Sequence, residues 1–252
     1  MGAFDDASAM LDSARRASGD ADDEVAYHTG VLLEVTEQWG PAVAAYRRVT
    51  RTWPDSPSAN DAGFRMAYCL EEMGQHKDSV RAVRQLQRNG RWSAADERSM
   101  ELQRGIAETR AGKTKRGIRR ILKALESGDS GRTWIRAKAR LALVRVQTDA
   151  AAAMVFKGDA KAARQLQKRS QLIASAEKQA IAMFTLGEPE FALEGLLLLG
   201  DAYVALYDAM LAYPPPRSVP AEQHEAYRET VAAKSAILRS KAYARYDEGV
   251  RV

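Results

Sequence analysis

Residues Asp23 to Pro54 read DEVAYHTGVLLEVTEQWGPAVAAYRRVTRTWP, and the spacing of small and large residues within them decides the fold. Gly30 is followed by Trp39, Ala42, Tyr46, Val49 and Pro54, an order that predicts one helix, a turn, a second helix and a stop. The same register downstream puts Ala67 where Gly30 stands, Gly74 at the turn, Ser79 for Ala42, and Val83 and Leu86 for Tyr46 and Val49. A third copy carries Gly105, Gly112, Gly117, Ile121 and Ala124, while His76 and then Thr114 take the place of Trp39. Recurrence roughly every 34 to 38 residues marks an array of helical hairpins, which points to binding rather than catalysis. Small residues let two antiparallel helices approach, and the larger ones fill the gap to the next hairpin.

Composition agrees with a helical reading. Apolar residues make up 46% of the 252, enough for a packed core. Proline is absent from Ser58 to Glu188, a stretch dominated by alanine, arginine, glutamine and leucine, and no alternating β-branched run appears. The fold class expected is all-α. No apolar run reaches the roughly 20 residues a membrane span needs; Leu196 to Leu199 is too short. Met1-Gly2 runs directly into Asp5 and Asp6 without an apolar stretch, so no signal-peptide pattern appears, which says nothing of the compartment if the chain belongs to a longer one. Cys69 is the single cysteine, which excludes an internal disulfide and a thiolate-rich metal site.

The hairpin pattern resembles the tetratricopeptide repeat, a helix–turn–helix unit of about 34 residues. The resemblance implies a right-handed α-solenoid of such hairpins over residues 1–130, followed over 131–252 by an elongated helical module. Gly2 to Ala7 reads like the turn and second-helix start of a repeat whose first helix is missing, so the array is expected to begin upstream of this chain; the alternative is that Phe4 to Ala17 is itself an amphipathic capping helix. In the second half, Trp134 to Phe156 and Ala160 to Phe184 read as helices longer than a repeat needs, turned at Gly158-Asp159. Gly187-Glu188-Pro189 then breaks the chain, and Glu190 to Leu211 reads as a further repeat-like helix. An extended Pro214-Pro215-Pro216 segment leads to a closing helix from about Ala221 to Tyr246, with Tyr227, Val231, Ile237 or Leu238, and Ala242 on one face. The block from Leu198 onward, with Tyr203, Tyr207, the prolines and Lys241-Ala242-Tyr243, resembles the terminal module of large tetratricopeptide proteins of myxobacterial-type cell envelopes, some of them in gliding-motility machinery. That resemblance implies a periplasmic or envelope location if the chain is part of a larger exported protein, and a cytoplasmic one otherwise.

Carried over by position, the resemblance implies a concave groove lined by Tyr27, Val31 and Glu34 in the first copy, Phe64, Tyr68 and Glu71 in the second, and Leu102 and Ile106 in the third. Such a stripe of aromatic and aliphatic residues with acidic margins suits a helical or extended segment of a protein partner in a multiprotein assembly. The alternative is that the chain's own helices cover it. Charge offers a second site: residues 1–80, 81–169 and 170–252 carry net −7, +15 and −3. Lys113, Lys115, Arg116, Arg119 and Arg120 form the densest cluster, able to meet an anionic surface, nucleic acid or an acidic protein, or to dock on acids of the same chain. Only Trp92 and Trp134 offer stacking surfaces nearby, which disfavours nucleic acid.

No catalytic constellation is legible, and neither an enzyme activity nor a cofactor is expected. Ala111-Gly112-Lys113-Thr114 has the end of a phosphate-binding loop, but the glycine that loop needs is Ala107 here, so a repeat turn explains it. His28, His76 and His224 are far apart with no metal-ligand spacing. Cys69, between Tyr68 and Leu70, suits a buried apolar role better than a nucleophile. Adjacent carboxylates such as Glu71 and Glu72 point apart on a helix.

Overall fold

The quoted stretch forms helix α1 (Asp23–Val35) and helix α2 (Trp39–Thr52). The Asp22 carboxylate starts α1 by accepting the backbone N–H groups of Glu24 (2.9 Å) and Val25 (3.2 Å), and Pro54 follows just beyond the end of α2. Two further hairpins follow, α3 (Ala59–Glu72) with α4 (His76–Asn89) and α5 (Ala94–Arg110) with α6 (Thr114–Glu126). Longer helices make up the rest: α7 (Thr133–Ala152), α8 (Asp159–Phe184), α9 (Pro189–Ala212), a short 3-10 turn at Ala221–Gln223, and α10 (His224–Val250). This computed structural model describes residues 22–90, 92–128, 131–156 and 159–251, with positions 6, 9, 10, 13 and 16. The protein is all-α: no strand occurs among the described residues. The half-repeat expected at Gly2 to Ala7 lies, apart from Asp6, outside the described residues, as does Gly158 of the expected turn.

The three hairpins share one turn. In each, the residue after the helix cap takes a left-handed backbone, at Glu37 (φ 57°), Gly74 (φ 75°) and Gly112 (φ 80°). The next N–H then reaches back five residues, Gln38 to Leu33 (2.8 Å), Gln75 to Leu70 (2.9 Å) and Lys113 to Glu108 (2.9 Å). This closes the otherwise unpaired carbonyls of the helix end and aims the chain back along it. The Ala111–Thr114 segment is thus the same turn as the other two, and nothing about it is arranged around a phosphate.

The chain divides into two units, residues 1–132 and 133–252. In the first, each helix packs on the next, and α1 touches α3 while α3 touches α5. The small residues sit where the helices come closest. A Cβ on Gly30 would fall 2.6 Å from the Tyr46 ring, one on Gly105 would fall 2.6 Å from Ile121 and 3.2 Å from the Gly117 carbonyl, and Ser79 donates a 2.7 Å hydrogen bond to the Ala67 carbonyl. The glycine, alanine and serine positions of the sequence pattern therefore mark helix–helix crossings inside each hairpin.

In the second unit α9 packs against α7, α8 and α10 around Leu141, Val144, Ile173, Met183, Leu199 and Leu206. On α10, Ser235, Ala242 and Gly249 are buried and Leu238 is half-buried, while Ile237 is exposed, so Leu238 and not Ile237 belongs to the inward face. Gly200 and Gly249 let α9 and α10 approach, beneath Tyr246 and against Leu193. The helix expected from Trp134 to Phe156 ends at Ala152. Met154 to Phe156 leave the helical path, and Phe156 reaches the Tyr213 ring edge-on at 5.9 Å. By length and mean hydropathy (1.4 over its apolar window) α9 is a membrane-span candidate, a signal that the short Leu196–Leu199 run did not convey. Its buried Leu196, Leu199 and Leu206, its Glu194–Arg145 ion pair and the Tyr246 hydroxyl on Asp201 mark it as the core helix of its unit.

Candidate functional site

Glu34 and Tyr27, two of the expected groove residues, belong to a polar network that ties α1, α2, α3 and the segment before α7 together. The Glu34 carboxylate accepts the Tyr46 hydroxyl (2.7 Å) and the Arg65 guanidinium (2.8 Å). Arg65 also bonds Asp61 (2.8 Å), which accepts the Tyr27 hydroxyl and Arg132 as well. Arg132 lies 4.9 Å over the Phe64 ring. Burial alone would raise the Asp61 carboxyl, but the Tyr27 hydroxyl with Arg132 and Arg65 outweighs it and holds Asp61 below the ordinary carboxylate range. A lowered folded-state pKa contributes stability above the unfolded value of 3.8 that is lost as pH falls from there through the folded value. Asp61→Asn is therefore expected to be less stable than the parent at pH 7 in urea denaturation, with the gap closing below pH 3.8. A gap that is constant with pH would show that the Asp61 charge contributes nothing.

The remaining groove residues divide. Phe64, Leu102 and Ile106 are 4%, 2% and 1% exposed and Glu71 is fully buried, paired with Arg110 at 3.0 Å. These four belong to the interior and correct the expectation of an open stripe: a side chain already in van der Waals contact on all sides has no area left for a partner. Tyr27, Val31, Glu34 and Tyr68 are half-buried, and Tyr68 stands edge-on against Trp39 at 5.9 Å.

The cationic cluster has a different character. Lys113, Lys115, Arg116 and Arg119 are exposed, whereas Arg120 turns inward to Glu108 (3.1 Å) and Glu101. Glu108, 1% exposed, sits among four guanidinium groups: Arg84 (3.9 Å), Arg104 (3.4 Å), Arg116 (3.3 Å) and Arg120. Glu101 is the second carboxylate of the cluster, 3.7 Å from Arg104 and within a 2.6 Å hydrogen bond of Gln87. Burial pulls Arg104 below the usual arginine range, and the neighbouring charges of Arg120 and Arg84 add to this against Glu101 and Glu108. Arginines thus outnumber the carboxylates that meet them.

Helix by helix the charge is sorted. The second helices of the hairpins, α2, α4 and α6, carry formal charges of +3, +3 and +4, and the first helices, α1, α3 and α5, carry −3, −2 and −1. The net charges of consecutive thirds of the chain do not show this, because each hairpin contains one helix of each sign. On α4, Arg81, Arg84 and Arg88 with Gln85 line one cleft of about 420 Å³. Between α2 and α4 a larger cleft of about 720 Å³ carries Arg47, Arg51 and Arg81 against Asp55 and Asp78.

Cys69 is buried beside the Glu34 carboxylate (3.8 Å), and burial, then that charge, push its thiol well above the ordinary range, which removes the thiolate a nucleophile needs. His28 faces Glu24 at 3.8 Å, and the His224 ring bonds the Val219 carbonyl at 3.0 Å. Among the described residues no three His, Cys, Asp or Glu side chains come together as a metal site. No protein-family model and no curated protein sequence matches this chain.

Proposed function

We propose that the first unit is a tetratricopeptide-type α-solenoid acting as a non-catalytic scaffold, and that it holds an acidic segment of a protein partner on the cationic face of α2, α4 and α6. The observation that carries this is the sorting of charge by helix, with Glu108 crowded by more arginines than it can neutralise. Three hairpins with one turn geometry, and side-by-side contacts of α1, α3 and α5, support the solenoid. An acidic protein is favoured over nucleic acid because Trp92 and Trp134, the two stacking surfaces near the basic block, are both half-buried, and Trp92 is tied by its indole N–H to the Leu86 carbonyl (2.9 Å). This face replaces the expected groove, half of whose anchors are interior.

Fluorescence anisotropy with a labelled glutamate-rich peptide tests the reading. Binding is expected to weaken steeply with salt and to fall by about tenfold or more in a Lys115→Glu, Arg119→Glu double variant, since both side chains are exposed. Tighter binding of a single-stranded oligonucleotide at equal salt would move the assignment to nucleic acid. Salt-insensitive binding lost on Tyr27→Ala and Tyr68→Ala would restore the groove.

A further inference from the structure

The second unit contains a cleft with a feature that packing does not explain. About 990 Å³ in volume, it lies between the end of α7, the Met154–Phe156 segment, α8, and the end of α9 with the prolines that follow. Its floor is flat, because Ala205, Ala209 and Ala212 present one face of α9. Phe156 and Tyr213, held edge-on at 5.9 Å, form an aromatic wall, and Pro214 and Pro215 stiffen the rim.

Arg169 on α8 lines this cleft and is only 4% exposed. Arginine is almost never buried at this level without a paired acid. Among the described residues no carboxylate pairs with Arg169, its Nε–H has no acceptor, and its one close partner is the Phe156 ring, 5.8 Å from the guanidinium. Burial lowers its pKa, with no neighbouring charge contributing. Arg217 lines the same cleft as a second cation. A buried guanidinium left without a counter-charge is destabilising, so its presence on the wall of a cleft whose other lining residues, Arg217 apart, are apolar requires a compensating role.

We propose that this cleft binds small amphipathic monocarboxylates, with the carboxylate on the Arg169 guanidinium and the apolar body between the Phe156–Tyr213 wall and the alanine floor. The guanidinium fork matches a planar carboxylate in two parallel hydrogen bonds, and one negative charge offsets the one buried positive charge. A phosphate ester would bring up to two negative charges and a hydrated tetrahedral head into the same apolar space, so it is the poorer fit. The site is separate from the cationic face of the first unit and does not depend on it.

Calorimetric titration of the full chain with 4-phenylbutyrate, 4-phenylbutanol and phenyl phosphate tests this. Saturable binding of the carboxylate is expected, at least tenfold tighter than the alcohol or the phosphate. Arg169→Met is expected to lose that preference while melting at a higher temperature than the parent, because a buried charge is removed. Arg169→Lys, which keeps the charge but lacks the fork, is expected to weaken the carboxylate several-fold. Phe156→Ala should weaken carboxylate and alcohol alike. Equal binding of carboxylate and alcohol to the unaltered protein would overturn the proposal. So would tighter binding of the phosphate, no binding of any probe at millimolar concentration, or an Arg169→Met protein that melts lower and still binds.

Discussion

Gly117→Ala is expected to destabilise the first unit by about 3 kcal/mol, at the upper end of what overpacking ordinarily costs. Helix propensity alone predicts the reverse, a gain of about 1 kcal/mol for replacing glycine inside α6. Geometry decides, because the new Cβ would fall 2.6 Å from the Gly105 carbonyl oxygen and 2.7 Å from the Thr109 backbone nitrogen. Both are backbone atoms of α5 and cannot rotate away; relief would require α5 and α6 to separate along the whole hairpin. Gly40→Ala in α2 is the control: beyond its chain neighbours its Cβ would meet nothing closer than Met73 at 3.9 Å, so only the mild restriction from Pro41 opposes it and the expected cost is at most about 1 kcal/mol. Thermal unfolding of the two variants side by side checks the pair, and equal melting temperatures would mean that the α5–α6 crossing is looser than described.

Glu108→Gln is expected to cost about 3–5 kcal/mol, the range found when one partner of a buried ion cluster is removed. The substitution preserves size and leaves Arg84, Arg104, Arg116 and Arg120 with Glu101 alone to balance them. Adding Arg120→Gln should recover part of the loss, because Arg120 is largely enclosed and hydrogen-bonds this carboxylate at 3.1 Å. Urea denaturation of the two single variants and the double variant measures the coupling. Additive losses would contradict a shared electrostatic cluster.

Much of the local architecture was legible in the sequence because it depends on residues close in the chain. Gly30 and Tyr46, or Gly105 and Ile121, meet sixteen positions apart inside one hairpin, where sterics allow few alternatives. Gly74 and Gly112 announced their turns; the turn before Trp39 was also expected, but its left-handed residue, Glu37, was not, because no glycine marks it. Burial of Phe64, Leu102 and Ile106 was not legible, because a positional pattern says which face of a helix a residue occupies and not what covers that face. Arg132 reaches Asp61 from 71 positions away, and no spacing rule spans that distance. The signal for Arg65 was present in its four-residue separation from Asp61 on one helix. Arg169 was hidden most completely: it sits among Lys168, Gln167 and Ser170, a neighbourhood that reads as a solvated face.

The central position of α9 has a consequence during synthesis. α9 emerges from the ribosome before α10, whose Tyr246 and Gly249 later pack on Gly200 and Leu193. From Ala212 to Val250 translation takes about 2–8 s at ordinary elongation rates, and for that interval a helix with the length and hydropathy of a membrane span lacks the helix that will cover it. A pause in that interval prolongs the exposure, so the codons between Tyr213 and Val250 govern how long chaperones or targeting factors can compete with α10 for the same apolar surface.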